Sequence, residues 1–323
     1  GDLFGAALAS GDINGDGYDD VIVGVPGEGI SKRDRAGAVH VIYGSAAGLT
    51  GVGSGLFHQD ARGIKSRAEV DDAFGEAVAA SDINGDGYDD VIVGAPGEGV
   101  GWGARAQSNA GAVHIIYGSA AGASGTGSQW FYQNTPGWPG RAETNDRFGS
   151  SIAVSDIDGD GIGDLVVGVP GETLGNYTEA GQVQIRYNPG NWSQTPASVQ
   201  TLYQNVAGVQ NKVETGDRFG SHLALADVTG DGNVDLIVGV PGESIATRPN
   251  AGAVAIFKSV GGAITTAEDQ ILYANQSVFT GESEANAEFG AWFSVLNGNL
   301  IIGSPGRTVS GLANAGAFYY LDL

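Results

Sequence analysis

The sequence contains no cysteine, few basic residues and no long apolar run. Without cysteine, neither disulfides nor thiolate metal sites can stabilise the fold. The 15 basic residues stand against 37 acidic ones, giving a net charge of -22. That charge disfavours nucleic acid and anionic membrane surfaces as partners and favours cations. Because no stretch of 18 apolar residues is present, we also expect no membrane insertion.

The sequence is rich in glycine and in repetition. Glycine accounts for 56 of the 323 residues without a G-X-Y period, and a hydrophobic content of 41% argues against disorder. The dipeptide Phe-Gly recurs at spacings of 70, 74, 71 and 70 residues. The repeats start near Phe4, Phe74, Phe148, Phe219 and Phe289. We therefore predict a single domain over residues 1–323, built from five units.

Each unit has the same internal order. A strand of small residues follows Phe-Gly, and an apolar run such as "DVIVGVP" comes next. A third strand such as "AGAVHVIYG" follows, and in four units an aromatic-rich run such as "LFHQD" closes the repeat. Units of four strands, repeated radially without helices, make a β-propeller. The predicted fold is therefore all-β, a β-propeller of about five four-stranded blades.

The fifth unit stops after its third strand, "AGAFYYLDL". Only three residues precede Phe4, too few to supply a further strand. We therefore expect a three-stranded last blade with an unpaired apolar edge through Phe318, Tyr319 and Tyr320. Such an edge favours pairing with another chain, so we expect self-association or strand addition there.

An acidic loop lies between the first and second strands of four units. Oxygen-bearing side chains occupy positions 1, 3, 5 and 9, glycine occupies position 6, and the carbonyl of position 7 adds an oxygen. This spacing suits a hard cation of calcium size. The predicted metal ligands are Asp12, Asn14, Asp16, Tyr18 and Asp20; Asp82, Asn84, Asp86, Tyr88 and Asp90; Asp156, Asp158, Asp160, Ile162 and Asp164; and Asp227, Thr229, Asp231, Asn233 and Asp235.

A single such loop could be no more than an Asp-Gly or Asn-Gly hairpin turn. Four copies in register favour a metal site, and the fifth unit keeps only the turn Asn297-Gly298. We therefore expect about four structural Ca²⁺ ions. The glutamate that an EF-hand has at position 12 is replaced by valine inside a strand. The predicted sites are consequently weak, in the range that fills outside cells, roughly 0.1–1 mM.

Phe-Gly, the Asp-x-[Asp/Asn]-x-Asp-Gly-x-x-Asp loop and Gly-Ala-Pro together resemble FG-GAP repeats. That family includes the β-propeller head of integrin α subunits and many bacterial extracellular proteins. The resemblance covers essentially the whole chain and implies a calcium-binding β-propeller, secreted or on the cell surface. Five units instead of seven, with no inserted domain, depart from the integrin pattern, so integrin-type heterodimer formation is not carried over.

The glutamates that follow Pro-Gly in the first four units suggest a glycosidase, since they form a repeated set of carboxylates. The residue before Phe often carries the opposite charge, however, which predicts cross-strand ion pairs. The predicted pairs are Arg147 with Glu172, Arg218 with Glu243, and Glu288 with Arg307. We therefore predict that the protein is not an enzyme.

Variable loops on a regular scaffold are typical of recognition. Trp102, Arg105, Trp138 and Tyr177 are predicted contacts for a glycan or an extracellular protein, although each could instead pack against a neighbouring loop. The favoured function is a secreted binding or adhesion module. A surface-structural protein that assembles through its blades is the second hypothesis, and a polysaccharide-active enzyme is the third.

Overall fold

The computed structural model describes residues 1–101, 106–188, 190, 192, 199–279, 281–296 and 298–322. These residues contain nineteen β-strands and no helix. The strands form four four-stranded sheets and one three-stranded sheet, and strands that are consecutive in sequence are neighbours in every sheet. This up-and-down order is that of β-propeller blades. The predicted all-β fold class and the three-stranded fifth blade are both confirmed.

The first three strands of the blades have similar lengths, whereas the described fourth strands range from three to eight residues. The first blade consists of β1 (Ala7–Gly11), β2 (Asp20–Val25), β3 (Ala38–Tyr43) and β4 (Thr50–Phe57). The second consists of β5 (Ala77–Ser81), β6 (Asp90–Ala95), β7 (Ala112–Tyr117) and β8 (Ser124–Phe131). The third consists of β9 (Ser151–Ser155), β10 (Asp164–Val169), β11 (Gln182–Arg186) and β12 (Val199–Leu202). The fourth consists of β13 (Leu223–Ala226), β14 (Asp235–Val240), β15 (Ala253–Phe257) and β16 (Gln270–Leu272). The fifth consists of β17 (Trp292–Leu296), β18 (Asn299–Ser304) and β19 (Ala317–Leu321).

The second strand of each blade carries most of the core, as its uninterrupted apolar sequence predicts. Every residue of β6, β10 and β14 is buried. In β6 the pairing is antiparallel on both sides, since Val93 lies opposite Val78 of β5 and opposite His114 of β7. A strand flanked on both sides and covered on both faces exposes no polar surface, so branched apolar residues fill it.

The chain divides into two compact units, and the third blade contributes residues to both. The core of the first unit joins residues of the first and second blades, such as Val39 and Phe74. The core of the second unit joins residues of the fourth and fifth blades, such as Val254 and Phe289. Within each unit, hydrophobic cores therefore extend across consecutive blades.

Consecutive blades meet at one repeated joint. The Phe of each Phe-Gly lies beside the Ala-Gly that opens the third strand of the preceding blade, so that Phe74 N–H donates to the Ala36 carbonyl at 3.0 Å. The same bond joins Phe148 to Ala110, Phe219 to Ala180 and Phe289 to Ala251. These four phenylalanines are at most 1% exposed. The Phe-Gly motif is therefore the contact by which one blade is attached to the next.

The edge prediction for the last blade is correct for two of its three residues. Phe318 and Tyr320 are 71% and 55% exposed. Tyr319 is not part of the exposed set, because it points to the opposite face of the strand. Its ring packs against Phe279 and Phe289 at centroid distances of 5.6 and 5.0 Å and is buried.

Replacing Gly37 with alanine tests the blade joint. A Cβ atom there would lie 2.2 Å from the Phe74 carbonyl oxygen, and φ is +84°. We expect a loss of about 3 kcal/mol or more in the free energy of unfolding. Gly48→Ala is the matched control, because φ is +98° and no atom lies within 4 Å of its Cβ position. It should cost only about 1 kcal/mol. Equal losses in urea unfolding would contradict the joint as described.

Candidate metal loops

The first aspartate of each acidic loop is an acceptor around which the loop folds. In the first loop, the two Oδ atoms of Asp12 accept the backbone N–H groups of Asp16 and Gly17 at 3.0 and 2.8 Å. The first aspartates of the second and fourth loops accept the same pair of N–H groups within their own loops. Gly17 has φ of +86°, a left-handed conformation that favours glycine at this turn.

The side chains at positions 3 and 5 continue the turn. Asn14 Oδ1 accepts the N–H of Asp16 at 2.9 Å, and Asp16 Oδ1 accepts the N–H of Tyr18 at 3.0 Å. The second loop repeats both bonds at 2.8 and 3.1 Å. These are Asx turns, which hold an oxygen atom close to the backbone two residues further on. Each accepting oxygen has two lone pairs, so these bonds leave it able to bind a cation.

The aspartate at position 9 has a second role that sequence reasoning missed. Asp20 is 0% exposed; its Oδ2 accepts the N–H of Ile13 at 3.0 Å and its Oδ1 accepts the N–H of Gly44 at 2.8 Å. Gly44 directly follows β3, so Asp20 ties the loop to the third strand. Asp90 makes the equivalent bonds in the second blade. The sequence does contain a sign of this role, since each of these aspartates is the first residue of an otherwise apolar strand.

Burial changes the protonation of the position-9 carboxyls. Desolvation raises the pKa of Asp20, and it raises the pKa of Asp90 to about 7. The carboxylates at positions 1 and 5 of the same loop raise both values further, whereas the backbone N–H groups lower them. A cation in the loop would favour the ionised form.

The third loop brings three carboxylates together. One oxygen each of Asp156, Asp158 and Asp164 lies within 4.8 Å of the other two. Carboxylates at this separation repel one another unless a cation or a proton lies among them. An all-oxygen donor set fits a hard cation of the calcium type. These three predicted ligands of the third loop therefore fit the predicted metal.

Neighbouring loops are also joined to each other in the first unit. Asp89 Oδ2 accepts the N–H of Asp12 at 2.8 Å, and the N–H of Asp89 donates to the Asp12 carbonyl at 3.1 Å. Burial raises the pKa of Asp89. The ordering of one loop is thus coupled to the ordering of the next.

The four predicted ligand-contact residues have different outcomes. Trp138 is only 6% exposed, so its prediction as a surface contact is wrong. It packs against Phe131 and Phe148 at centroid distances of 6.2 and 5.2 Å, because an indole buries a large apolar area at such a position. Tyr177 is 43% exposed. Trp102 and Arg105 lie outside the described residues.

Exposed Tyr177 belongs to a small hairpin that recurs in each blade between the second and third strands. Two residues at its base exchange backbone hydrogen bonds, as Leu174 and Tyr177 do at 3.0 and 3.2 Å. The paired residues are Ile30 with Arg33, Val100 with Gln107, Leu174 with Tyr177, Ile245 with Arg248, and Val309 with Leu312. Two residues of the sequence separate the paired residues in four blades, and six separate Val100 from Gln107 in the second blade. The base is therefore constant and the tip varies.

Two of the glutamates after Pro-Gly are buried acceptors between blades. Glu98 is 3% exposed, and it accepts hydrogen bonds from Gln59 Nε2 and, at 2.8 Å, from Ser66 Oγ. Gln204 Nε2 donates to Glu243 in the same way in the second unit. Desolvation, together with the nearby carboxylate of Asp72, raises the pKa of Glu98 to about 8. Glu98 and Glu243 thus have a structural role in attaching each blade to the end of the preceding one.

The predicted cross-strand ion pairs are wrong in the partners they name. The arginines concerned make the ion pairs Arg147–Glu76 at 2.9 Å, Arg218–Glu288 at 3.0 Å and Arg307–Glu284 at 3.3 Å. The first two pairs connect consecutive blades, because the residue before Phe lies at the blade joint. All these groups are partly exposed, so each pair contributes less than about 1 kcal/mol.

Comparison with known proteins agrees with this architecture. The FG-GAP repeat model matches residues 4–42, 74–116, 148–185 and 219–257. Phosphatidylinositol-glycan-specific phospholipase D of Dictyostelium discoideum is 31% identical over 248 residues, 72% of this chain and 25% of that protein. The Homo sapiens protein of that name is 31% identical over 76% of this chain and 27% of its own length. Integrin alpha-PS3 of Drosophila melanogaster is 33% identical over 53% of this chain and 14% of its length.

A solved structure titled "Structure of Dos1 propeller" aligns over 97% of this chain and 66% of its own, at a TM-score of 0.45 and 13% identity. The chain spans about a quarter or less of the length of the relatives named above. The blades and their acidic hairpin loops define a repeat-built β-propeller. The chain belongs to the FG-GAP repeat proteins. Among the described residues, no helix is long and apolar enough to cross a membrane.

The raised carboxyl pKa values predict that stability falls as pH rises in calcium-free buffer. The pKa of Glu98 is about 8 in the folded protein against an ordinary value of 4.5, so the folded state holds this proton more tightly. Its stabilising effect is present at pH 4.5 and is lost as pH rises through 8, at up to about 1.4 kcal/mol per pH unit. Glu98→Gln should reduce that slope in urea unfolding between pH 5 and 8.

Glu28→Gln is the control, since Glu28 occupies the equivalent, half-buried position of the first blade. Because the Glu28 side chain is only half-buried, its replacement should change the slope of stability against pH less than Glu98→Gln does. A slope that Glu98→Gln leaves unaltered would contradict the buried, protonated state of Glu98.

Proposed function

We propose that the protein is an extracellular, calcium-stabilised β-propeller that acts as a binding or adhesion module for a glycan or a protein ligand. The observation that supports it best is the set of four acidic loops, each folded around its first aspartate and fastened to the third strand by its last. A cation bound in each loop would balance the charge of its carboxylates.

Calcium would act as the stabilising cross-link in a chain without cysteine. Each loop gathers several carboxylates whose mutual repulsion opposes folding, and a bound cation removes that cost. At a free concentration 100 times its Kd, each ion adds about 2.7 kcal/mol to the free energy of unfolding. Calcium sites with the predicted Kd of roughly 0.1–1 mM fill at the calcium concentration outside cells, which supports a secreted or cell-surface location.

The recognition surface that we propose is the set of hairpin tips between second and third strands. A rigid two-residue base carries a variable tip in each blade, the arrangement by which scaffolds present binding loops. Exposed Tyr177 lies at the base of the third of these hairpins, next to its tip, and Trp102 and Arg105 fall in the sequence between the paired residues of the second. Aromatic and arginine side chains are common anchors in binding surfaces.

We favour a non-catalytic role. The relatives named phospholipase D match this chain over about a quarter of their length, so their activity is not carried over to it. Glu98 and Glu243, the two most buried glutamates of the glycosidase hypothesis, are occupied by hydrogen bonds between blades. Assembly of copies through their blades is the second candidate function, favoured by the exposed Phe318 and Tyr320.

Calorimetry should find roughly four calcium sites with Kd values of about 0.1–1 mM. Asp16→Ala should remove one site, because it deletes a position-5 carboxylate of the first loop. Asp19→Ala removes the same charge from an exposed position-8 residue of that loop and should keep all sites. Addition of EDTA should lower Tm of the unaltered protein. A melting curve that EDTA leaves unmoved would refute calcium as the stabilising cross-link.

Glycan and matrix-protein arrays test the recognition surface in saturating calcium. Tyr177→Ala should weaken binding of any ligand retained on the array by about tenfold, as expected for loss of an aromatic anchor. Val52→Ala removes another exposed apolar side chain, in β4, and should leave binding unchanged. Sugar release from a retained polysaccharide would instead support the enzyme hypothesis.

A further inference from the structure

The first blade has a bare joint face. Phe4 is 64% exposed, whereas the phenylalanines at the same repeat position in the other four blades are at most 1% exposed. Leu8 is 65% exposed, whereas its equivalents Val78, Ile152 and Leu223 are at most 9% exposed. The face that every other blade buries against its predecessor is therefore open on the first blade.

The fifth blade has the opposite bare face. Phe318 and Tyr320 correspond in strand register to Val39 and Val41 of β3, both 0% exposed. Their counterparts in the second, third and fourth blades are at most 3% exposed. Phe318 and Tyr320, at 71% and 55%, thus occupy the face that each complete joint covers with the next blade.

Both bare faces have the backbone shape of a formed joint. The residue before Phe has a positive φ in all five blades, and Leu3 at 60° matches Arg147 at 60°. On the other side of the joint, the glycine of Ala-Gly also has a positive φ in the fifth blade. The φ of Gly316 is +75°, close to the +84° of Gly37 in the first blade. A Cβ atom at Gly37 would lie 2.2 Å from the Phe74 carbonyl oxygen, but a Cβ atom at Gly316 would lie 3.6 Å from its nearest neighbour, the Pro305 carbonyl oxygen. The space that Phe fills in a complete joint is open there.

From these observations we propose that two copies of this chain associate head to tail, the Phe4 face of one docking on the Gly316 face of the other. The two half-faces are complementary, because the Phe N–H donates to the Ala carbonyl of the preceding blade at all four internal joints. In the internal joints, Phe74 N–H donates to the Ala36 carbonyl and Ala73 N–H donates to the Arg35 carbonyl. In the proposed joint, Phe4 N–H correspondingly donates to the Ala315 carbonyl of the partner copy, and Leu3 N–H donates to its Asn314 carbonyl. The contact is heterologous, so it generates closed rings or open chains of copies. The proposal does not depend on calcium binding.

One side chain must move for the joint to form. In a complete joint, the carbonyl of the glycine in Phe-Gly of the next blade lies close to the first glycine of Gly-x-Pro-Gly. The Gly75 carbonyl, for example, lies close to Gly24. At the corresponding Gly303 that space is filled by the indole of Trp292 from the same blade. Trp292 corresponds to Ala7 in the first blade and is 46% exposed. Its rotation away from Gly303 opens the face for the incoming Gly5 carbonyl.

Cysteine cross-linking distinguishes association between copies from a contact within one chain. The native chain has no cysteine, so each introduced thiol is unique. Leu3→Cys and Asn314→Cys proteins, mixed in equal amounts in saturating calcium and oxidised, should give a disulfide-linked dimer of the two variants. The positive control is one chain with Arg35→Cys and Ala73→Cys, the same positions of an internal joint, which should cross-link internally. Leu3→Cys mixed with Gly48→Cys should give no heterodimer.

Analytical ultracentrifugation of the full chain supplies the second measurement. Association should be concentration-dependent, and Gly316→Asn should weaken it at least tenfold by filling the space for Phe4. Gly311→Asn is the matched control, since Gly311 has φ of +81° and an open Cβ position. Asparagine tolerates this conformation, so both variants should fold. Trp292→Ala should strengthen association, because it removes the indole that covers Gly303 and leaves an alanine, as at Ala7 in the first blade.

Three results would overturn the proposal. One is a monomer at the highest attainable concentration, and another is association that Gly316→Asn leaves unchanged. The third is a disulfide that forms within a doubly substituted Leu3→Cys/Asn314→Cys chain while the mixture of single variants gives none. Weakened association in Trp292→Ala would contradict the described geometry of the joint.

Discussion

The contact on which the rest of this structure depends is the burial of one phenylalanine against one Ala-Gly pair. A four-stranded antiparallel sheet has two faces, and a single small blade cannot cover either of them by itself. The joint places Phe74, for example, in the core beside Val39 and gives its N–H a carbonyl acceptor in the preceding blade. Apolar burial and backbone hydrogen bonding are thus satisfied at the same point. Glycine is required there because the two backbones approach more closely than a Cβ atom allows.

The acidic loops follow from the same geometry. Each loop leaves the first strand and re-enters the sheet at an aspartate that is buried at the start of the second strand. Asp20 and Asp90 fasten their loops to the residue after the third strand, so the loop is held by the blade. In the first unit, Asp89 then connects the second loop to the first. A cation bound in one loop would therefore stabilise a framework that the blades already fix, rather than order a free segment.

The sequence was most informative about what lies within a repeat. Strand order, the continuous burial of the second strand and the three-stranded last blade all follow from periodicity, because each depends on neighbours in the same unit. The fold around the first aspartate of the loop was also foreseeable, since Asx turns and a left-handed glycine have local signals. Calcium binding itself and the tip residues remain predictions.

What the sequence did not reveal lies between repeats. Arg147 reaches Glu76 of the preceding blade, Gln59 reaches Glu98 of the following one, and Trp138 lies buried against Phe148. Periodicity aligns equivalent residues, but it does not say which non-equivalent residues of two units come into contact. For the same reason, the sequence marked the last strand as an edge without showing that a whole face is open. The structure shows it because Phe318 and Phe4 are exposed where their equivalents are buried.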